Sequence, residues 1–166
     1  MEVMTVGDVL LVNKMEELDN KIHSEISRLS ELGDSFAEKE DYPNALNAYW
    51  QAYDFIPEPK TYWESTTWLL AAIGDANFLS KDYQAGIDNL SNAMHCPGGI
   101  GNPFLHLRLG QCQFELGNID RAADELIRVY ALEGEQFFLE DDSKYFEFLK
   151  TKIDIQKPKK KSWWKR

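Results

Sequence analysis

Several groups in this sequence carry side chains that could do chemistry. His95 adjoins Cys96, and His106 precedes Cys112 by six residues, so imidazole and thiol, the usual zinc ligands, occur close together. A spacing of six does not put both on one helix face, and the paired-cysteine pattern of a zinc site is missing, so ordinary helix packing is the expectation. Asp124 and Glu125 offer adjacent carboxylates but read as solvent-facing charges, and His23 lies among polar residues and reads as solvated. The loop Cys96-Pro97-Gly98-Gly99-Ile100-Gly101-Asn102-Pro103 is glycine-rich and precedes a helix, where an anion can sit on free amides. It lacks the lysine and the preceding strand of a phosphate loop. With no nucleophile motif either, the sequence predicts no catalysis, no cofactor and no metal.

What must position these residues is a set of helices. Within residues 67–97, Leu70, Ile73, Gly74 and Asn77 recur at helical spacing, and Ile87, Leu90, Ala93 and Met94 do so again after the polar turn Ser80-Lys81-Asp82-Tyr83. A lone helical hairpin cannot bury such a face, so it needs stacked neighbours. The sequence supplies two. Gly33, Gly74 and Gly110 each follow a large aliphatic residue, and an aromatic residue (Phe36, Phe78, Phe114) comes three or four positions later. A turn follows at Asp41-Tyr42, Asp82-Tyr83 and Asn118-Ile119. Twelve positions past the glycine sits a small residue (Ala45, Gly86, Ala122), and sixteen past it a bulky one (Tyr49, Leu90, Leu126). Small residues belong where helices cross closely and bulky ones fill the gaps beside them.

This pattern resembles the tetratricopeptide repeat (TPR), a helix-turn-helix unit of about 34 residues with a large-Gly, aromatic, Ala, aromatic and Pro signature. The resemblance implies an all-α fold: a right-handed α-solenoid of three units at about residues 27–57, 67–97 and 103–132. Pro57 and Pro97 end the first two units, and the third lacks its proline. The glycine spacings, 41 and 36 residues, exceed the ideal, and the extra length is assigned to the helix or linker around Glu58 to Trp68. Helical period from about Asn13 predicts an N-terminal helical extension. Thr61-Tyr62-Trp63-Glu64 matches a capping box, Asn102 and Pro103 suit a helix start, and Gly134 suits a helix end. Phe137, Phe138, Tyr145, Phe146, Phe148 and Leu149 predict a capping helix over about residues 136–153, closing the open end of the solenoid. Residues 1–156 are thus expected to form one domain, followed by a basic, flexible tail at 157–166.

Charge narrows the partner. The 166 residues carry a formal net charge of −10, but residues 157–166 hold six of the 18 basic residues and no acid, leaving the body with 12 basic against 28 acidic residues, a net of −16. Such a body repels nucleic acid and suits a basic protein partner, although the same acid would also keep a domain soluble. No apolar run is long enough to span a membrane, the start lacks the features of a secretory leader, and two cysteines do not make a disulfide framework, so a cytoplasmic location is expected. The tail KPKKKSWWKR reads as a solubilising end, a contact to the acidic body or a partner, or a weak membrane-surface contact.

In TPR proteins the first helix of each unit lines the concave groove. Carried over by position, the resemblance implies a partner-binding surface of Ser30, Asp34 and Glu38 from unit one; Trp68, Ala71, Asp75 and Phe78 from unit two; and Phe104, Leu107, Gln111 and Glu115 from unit three. Asp34, Asp75 and Gln111 follow the glycine in every unit, a polar ladder flanked by aromatics and fitted to a basic, partly apolar surface. Trp68 and Phe104 packed between helices is the alternative. TPR domains that clamp chaperone C-termini use basic groove residues, so that role is disfavoured here.

The phrases PEPKTYWESTTWLLAAIGDANFL, CPGGIGNPFLHLRLGQCQFELGNIDRAADELIRVYALEG and FLEDDSKYFEFLK are similar to small bacterial TPR proteins encoded beside polymorphic toxins of the Rhs or contact-dependent kind. That resemblance implies an immunity protein, a monomer or a 1:1 complex with a basic toxin domain. A type III secretion chaperone for translocator proteins, and a scaffold for a larger complex, are the alternatives.

Overall fold

The computed structural model describes residues 20–139 and 141–153, so the residues ahead of Asn20 and the basic tail at 157–166 lie outside it. Among the described residues there are seven α-helices and no strand. They are α1 (Asn20–Ala37), α2 (Tyr42–Asp54), α3 (Glu64–Leu79), α4 (Tyr83–Ala93), α5 (Pro103–Glu115), α6 (Ile119–Glu133) and α7 (Ser143–Lys150), with 3₁₀ turns at Lys60–Tyr62 and Glu135–Phe138. Helices pair as three hairpins, α1 with α2, α3 with α4 and α5 with α6, and each hairpin stacks on the next.

The crossings follow the repeat. A methyl group on Gly33 would lie 2.3 Å from the Tyr49 ring, one on Gly74 2.5 Å from Leu90, and one on Gly110 2.9 Å from Leu126. Each glycine therefore lets its helix come within contact of the bulky residue sixteen positions on, and no larger residue fits. The turns repeat as well. Asp41 N–H donates to the Phe36 carbonyl, Asp82 to Asn77 and Asn118 to Gln113, at 2.9, 2.8 and 2.9 Å, and the residue before each bonds three positions back. This pairing ends a helix through one left-handed residue, here Glu40 (φ 59°), Lys81 (φ 66°) and Gly117 (φ 77°). The next residue then opens the following helix, with the Asp41 and Asp82 carboxylates accepting from Asn44 and Ala85 amides. Asn118 differs, because its side chain donates back to Gln113 instead (2.8 Å).

The capping-box expectation is corrected, and the choice between helix and linker for the extra length of the first repeat falls to helix. The capping box at Thr61–Glu64 does not form: residues 60–62 make a 3₁₀ turn, and α3 starts after Trp63 with no side-chain cap. The Thr66 hydroxyl donates to the Lys60 carbonyl, while the Lys60 ammonium caps the end of α2 through the Tyr53 and Ile56 carbonyls at 3.0 and 2.6 Å. The extra length of the first repeat lies in helix, not in linker. Both linkers, 55–63 and 94–102, hold nine residues, whereas α2 runs two residues further past its glycine than α4 and α3 starts three residues earlier than α5. Asn102 caps α5 as expected, accepting from the Phe104 amide at 3.0 Å, and Gly134 ends α6 with φ 76°.

The core falls into two clusters. The larger runs from Ile26 through Tyr49, Leu69, Ile73 and Leu90 to Leu105 and Cys112. The smaller lies between the third hairpin and the closing segment, where Leu107, Leu126 and Val129 meet Phe138, Tyr145, Phe146 and Leu149, and Phe78 touches both. Leu32 is 40% exposed where its counterparts Ile73 and Leu109 are 0% and 7%, because no described hairpin precedes α1.

Candidate functional site

The polar ladder is built on one face of each first helix. Asp34 and Glu38 are one turn apart on α1; Trp68, Asp75 and Phe78 follow at helical spacing on α3; Phe104, Arg108, Gln111 and Glu115 do so on α5. The rungs are linked across helices. The Tyr49 hydroxyl, from α2, donates to Asp34 Oδ1 at 2.7 Å. Burial, the hydrogen bond to Asp34 and then the charges of Asp34 and Asp75 push that hydroxyl well above the ordinary tyrosine range, so Tyr49 stays a neutral donor between two acids.

On the other side of Asp75 stands Arg108. Its Nε donates to Asp75 Oδ1 at 2.5 Å, and its Nη1 donates to Gln111 Oε1 and Asp141 Oδ1, both at 2.7 Å. The guanidinium carbon lies 4.8 Å from the Phe78 ring centre and 5.4 Å from that of Phe104. Burial disfavours its charge, but Asp75 and Asp141 more than offset this and hold it above its ordinary value. Arg108 was not among the residues singled out from sequence. Its signal was position alone, four residues after Phe104 and three before Gln111 on the same face.

The chain's own closing segment then covers the third rung. Tyr145 on α7 donates its hydroxyl to Glu115 Oε1 at 2.7 Å, Lys144 Nζ lies 2.6 Å from the same oxygen, and the Tyr145 ring contacts Phe114 and Phe78 at 5.5 and 6.3 Å between centres. Burial alone would raise the Glu115 carboxyl, but the bonds from Lys144 and Tyr145 hold it below the ordinary carboxylate value.

The structure therefore divides the expected site residues. Asp34, Glu38 and Trp68 stand open, Trp68 being 44% exposed. Asp75, Phe78, Phe104 and Glu115 are half-buried and engaged with Arg108 or α7. Gln111 lies beneath the surface at 0% exposure, and Ala71 and Leu107 are buried in the core. Ser30 is also buried, with its hydroxyl given to the Ile26 carbonyl at 2.6 Å. Of the two linker tryptophans, Trp63 is the inward one, its indole N–H bonded to the Pro57 carbonyl at 2.9 Å.

His106 has Nδ1 2.5 Å from Glu125 Oε2 and Nε2 2.7 Å from the Ile100 carbonyl, so both ring nitrogens are engaged. Cys112 is buried, which pushes its thiol up to about 12. Among the described residues no helix is long and apolar enough to cross a membrane, and no three His, Cys, Asp or Glu side chains converge as metal ligands.

No family model and no curated protein matches the sequence. Solved structures do. The first TPR domain of human RPAP3 aligns with a TM-score of 0.59 at 18% identity, covering 76% of this chain and 88% of that one. The second TPR domain of the same human protein, solved in complex with the HSP70 peptide SGPTIEEVD, aligns at 0.61 and 16% identity over 78% of this chain and 96% of that one. The C-terminal TPR-containing domain of an FK506-binding protein from Plasmodium falciparum aligns at 0.65 and 16% identity over 82% and 91%. All three have the stacked-hairpin architecture derived above, and the fold of this chain is the tetratricopeptide-repeat solenoid.

Proposed function

We propose that the chain is a protein-interaction module whose open groove surface on α1 and α3 holds a basic, partly apolar polypeptide. The observation that carries this reading is the trio Asp34, Glu38 and Trp68: on α1 two exposed carboxylates with no cation partner among the described residues, and on the same strip, from α3, an exposed indole. Carboxylates steer and pair with lysine or arginine, and an indole face accepts both apolar side chains and cations. The human RPAP3 domain was solved with a peptide ending in acidic residues. An acidic groove repels that class of ligand, and the one arginine on this strip is already shared between two aspartates.

Within that class, the finer proposal is an immunity protein that covers a basic toxin domain. It is supported by the resemblance of the three quoted phrases and by the acid-rich body. The role is one of binding without catalysis: His106 is engaged at both nitrogens, and the Cys112 thiol is buried and held protonated. The test is to read the gene beside this one and, where it encodes a toxin domain, to co-express the two. A 1:1 complex on gel filtration and survival of the host are expected, with both weakened by Asp34→Asn plus Glu38→Gln. A toxin that kills equally with and without this chain, and elutes apart from it, ends the immunity reading. Capture of an extended peptide instead of a folded domain would favour the secretion-chaperone alternative.

A further inference from the structure

The open half of the groove has a candidate occupant in the chain itself. We propose that the basic segment 157–166, KPKKKSWWKR, docks in cis on the surface formed by Asp34, Glu38 and Trp68 and competes there with the partner. The inference rests on the groove reading above and adds a second, intramolecular ligand to it.

Three observations carry it. The first is charge: the segment has six cations and no acid, and among the described residues the α1 side of the strip keeps its acids uncompensated. Asp75 and Asp141 share the Arg108 guanidinium, and Glu115 is paired with Lys144. Of the cations on and just past α1, Arg28 bonds Glu25 at 2.9 Å, and Lys39, in the turn, donates to Ser35 at 3.3 Å. The second is chemistry. Trp163 and Trp164 stand between lysines, which suits a strip that offers both exposed carboxylates on α1 and the 44%-exposed Trp68 on α3. The third is reach. Tyr145 touches Phe78, so α7 already lies against the groove side of α3 and α5. The thirteen residues from 154 to 166 extend to about 45 Å at ~3.4 Å each, while α5 and α1 are separated by two helix spacings, about 20 Å.

Tethering makes a weak contact count. With an effective concentration of about 1 mM and a Kd near 50 μM for the free segment, the groove is occupied about 20:1. A partner must then bring a denser basic surface to displace the segment, which would make the segment a selectivity filter as well as a competitor.

The experiment uses the full chain, wild type and with Lys157, Lys159, Lys160 and Lys161 each changed to Gln, titrated with the synthetic peptide KPKKKSWWKR at low salt. The peptide is expected to bind the neutralised chain about twentyfold more tightly than wild type. That binding should fall tenfold or more on adding Asp34→Asn with Glu38→Gln, and again in 0.5 M salt. Equal affinity for both chains overturns the proposal; if the Asp34 and Glu38 changes still weaken both, the groove reading stands alone. Tighter binding that ignores Asp34, Glu38 and Trp68→Ala places the segment elsewhere and also overturns it. So does a wild-type dimer by light scattering that the neutralised chain lacks, since the segment would then sit on a second copy. No binding to either chain removes both readings.

Discussion

Asp34 and Asp75 hold the same place in successive units, one residue past the crossing glycine, yet they end in different company. Asp34 accepts from a neutral tyrosine and faces solvent. Asp75 meets a guanidinium clamped between two phenylalanine rings and tied to the segment that closes the solenoid. The repeat supplies the rung, but the neighbour decides what the rung does. Where another hairpin or the closing helix stacks on a first helix, its acids are paired and become part of the framework. Where the stack leaves the face open, the same acid stays available. The molecule thus carries a compensated half, from Asp75 to Glu115, and an uncompensated half on α1.

Removing what closes the compensated half is expected to have the largest effect. Leu149 on α7 is fully buried against Leu126, Val129 and Phe138. Leu149→Ala should cost about 3 kcal/mol by chemical denaturation, the usual range for a buried leucine. If the two halves are independent, the affinity of the Asp34 surface for a basic peptide changes less than twofold. A comparable loss of affinity would mean that the halves are coupled. Next comes Arg108→Met, which leaves Asp75 and Asp141 facing one another without their cation. A loss of about 2–3 kcal/mol is expected, below the full value for a buried pair because both aspartates retain some solvent. Adding Asp75→Asn and Asp141→Asn should recover most of it, whereas an additive triple variant would show that Arg108 acts by packing instead.

The open half should respond in the opposite way. Asp34→Asn with Glu38→Gln is expected to change stability by less than about 0.5 kcal/mol, because exposed side chains with few fixed partners contribute little to folding. Affinity for a basic peptide should fall about tenfold. A stability loss above 1 kcal/mol would move Asp34 into the framework class. It would also make the Tyr49 hydrogen bond, ordinarily about 1 kcal/mol, the main function of that acid.

How far the sequence disclosed this division follows from what repeats. The glycine, bulky and turn positions recur because each is set by contacts inside one hairpin, so Gly33–Tyr49, Gly74–Leu90 and Gly110–Leu126 were readable by alignment alone. The α1, α3 and α5 ladder was readable for the same reason. The fate of each rung depends on contacts between units, and those have no period. Arg108 bridges residues thirty-three positions away in both directions, which no local spacing reports. The burial of Leu107 likewise follows from where the closing segment lies: its apolar residues announced a cap but not which face it would cover. The capping box failed for a different reason. Thr61 and Glu64 fit the pattern, but the linker is held in another conformation by the Lys60 ammonium capping α2 and the Trp63 indole bonded to Pro57.

The smallest effect tests the seam between closing segment and groove, where Glu115 meets Lys144 and Tyr145. The Glu115 carboxyl is held below its ordinary value in the folded chain, so its contribution is present above the unfolded value of about 4.3 and is lost as pH falls through the lower folded value. The Lys144 ammonium is raised, first by its bond to Glu115, so its contribution is present below the unfolded value of about 10.4 and is lost as pH rises through the higher folded value. Between about pH 5 and pH 9 the seam should therefore hold constant, and the protection of α7 amides should not change, their exchange rates following only the pH dependence of the intrinsic rate. Below about pH 4 their protection should fall before that of α1 and α2, whose described contacts do not include Glu115. Lys144→Met should shrink the alkaline limb without abolishing it, because the Tyr145 hydroxyl is also raised by burial and by its bond to Glu115. It should leave part of the acid limb, because Tyr145 still donates to Glu115. If α1 and α7 lose protection together at every pH, the two halves open as one, and the contrast between Asp34 and Asp75 is one of surface charge only.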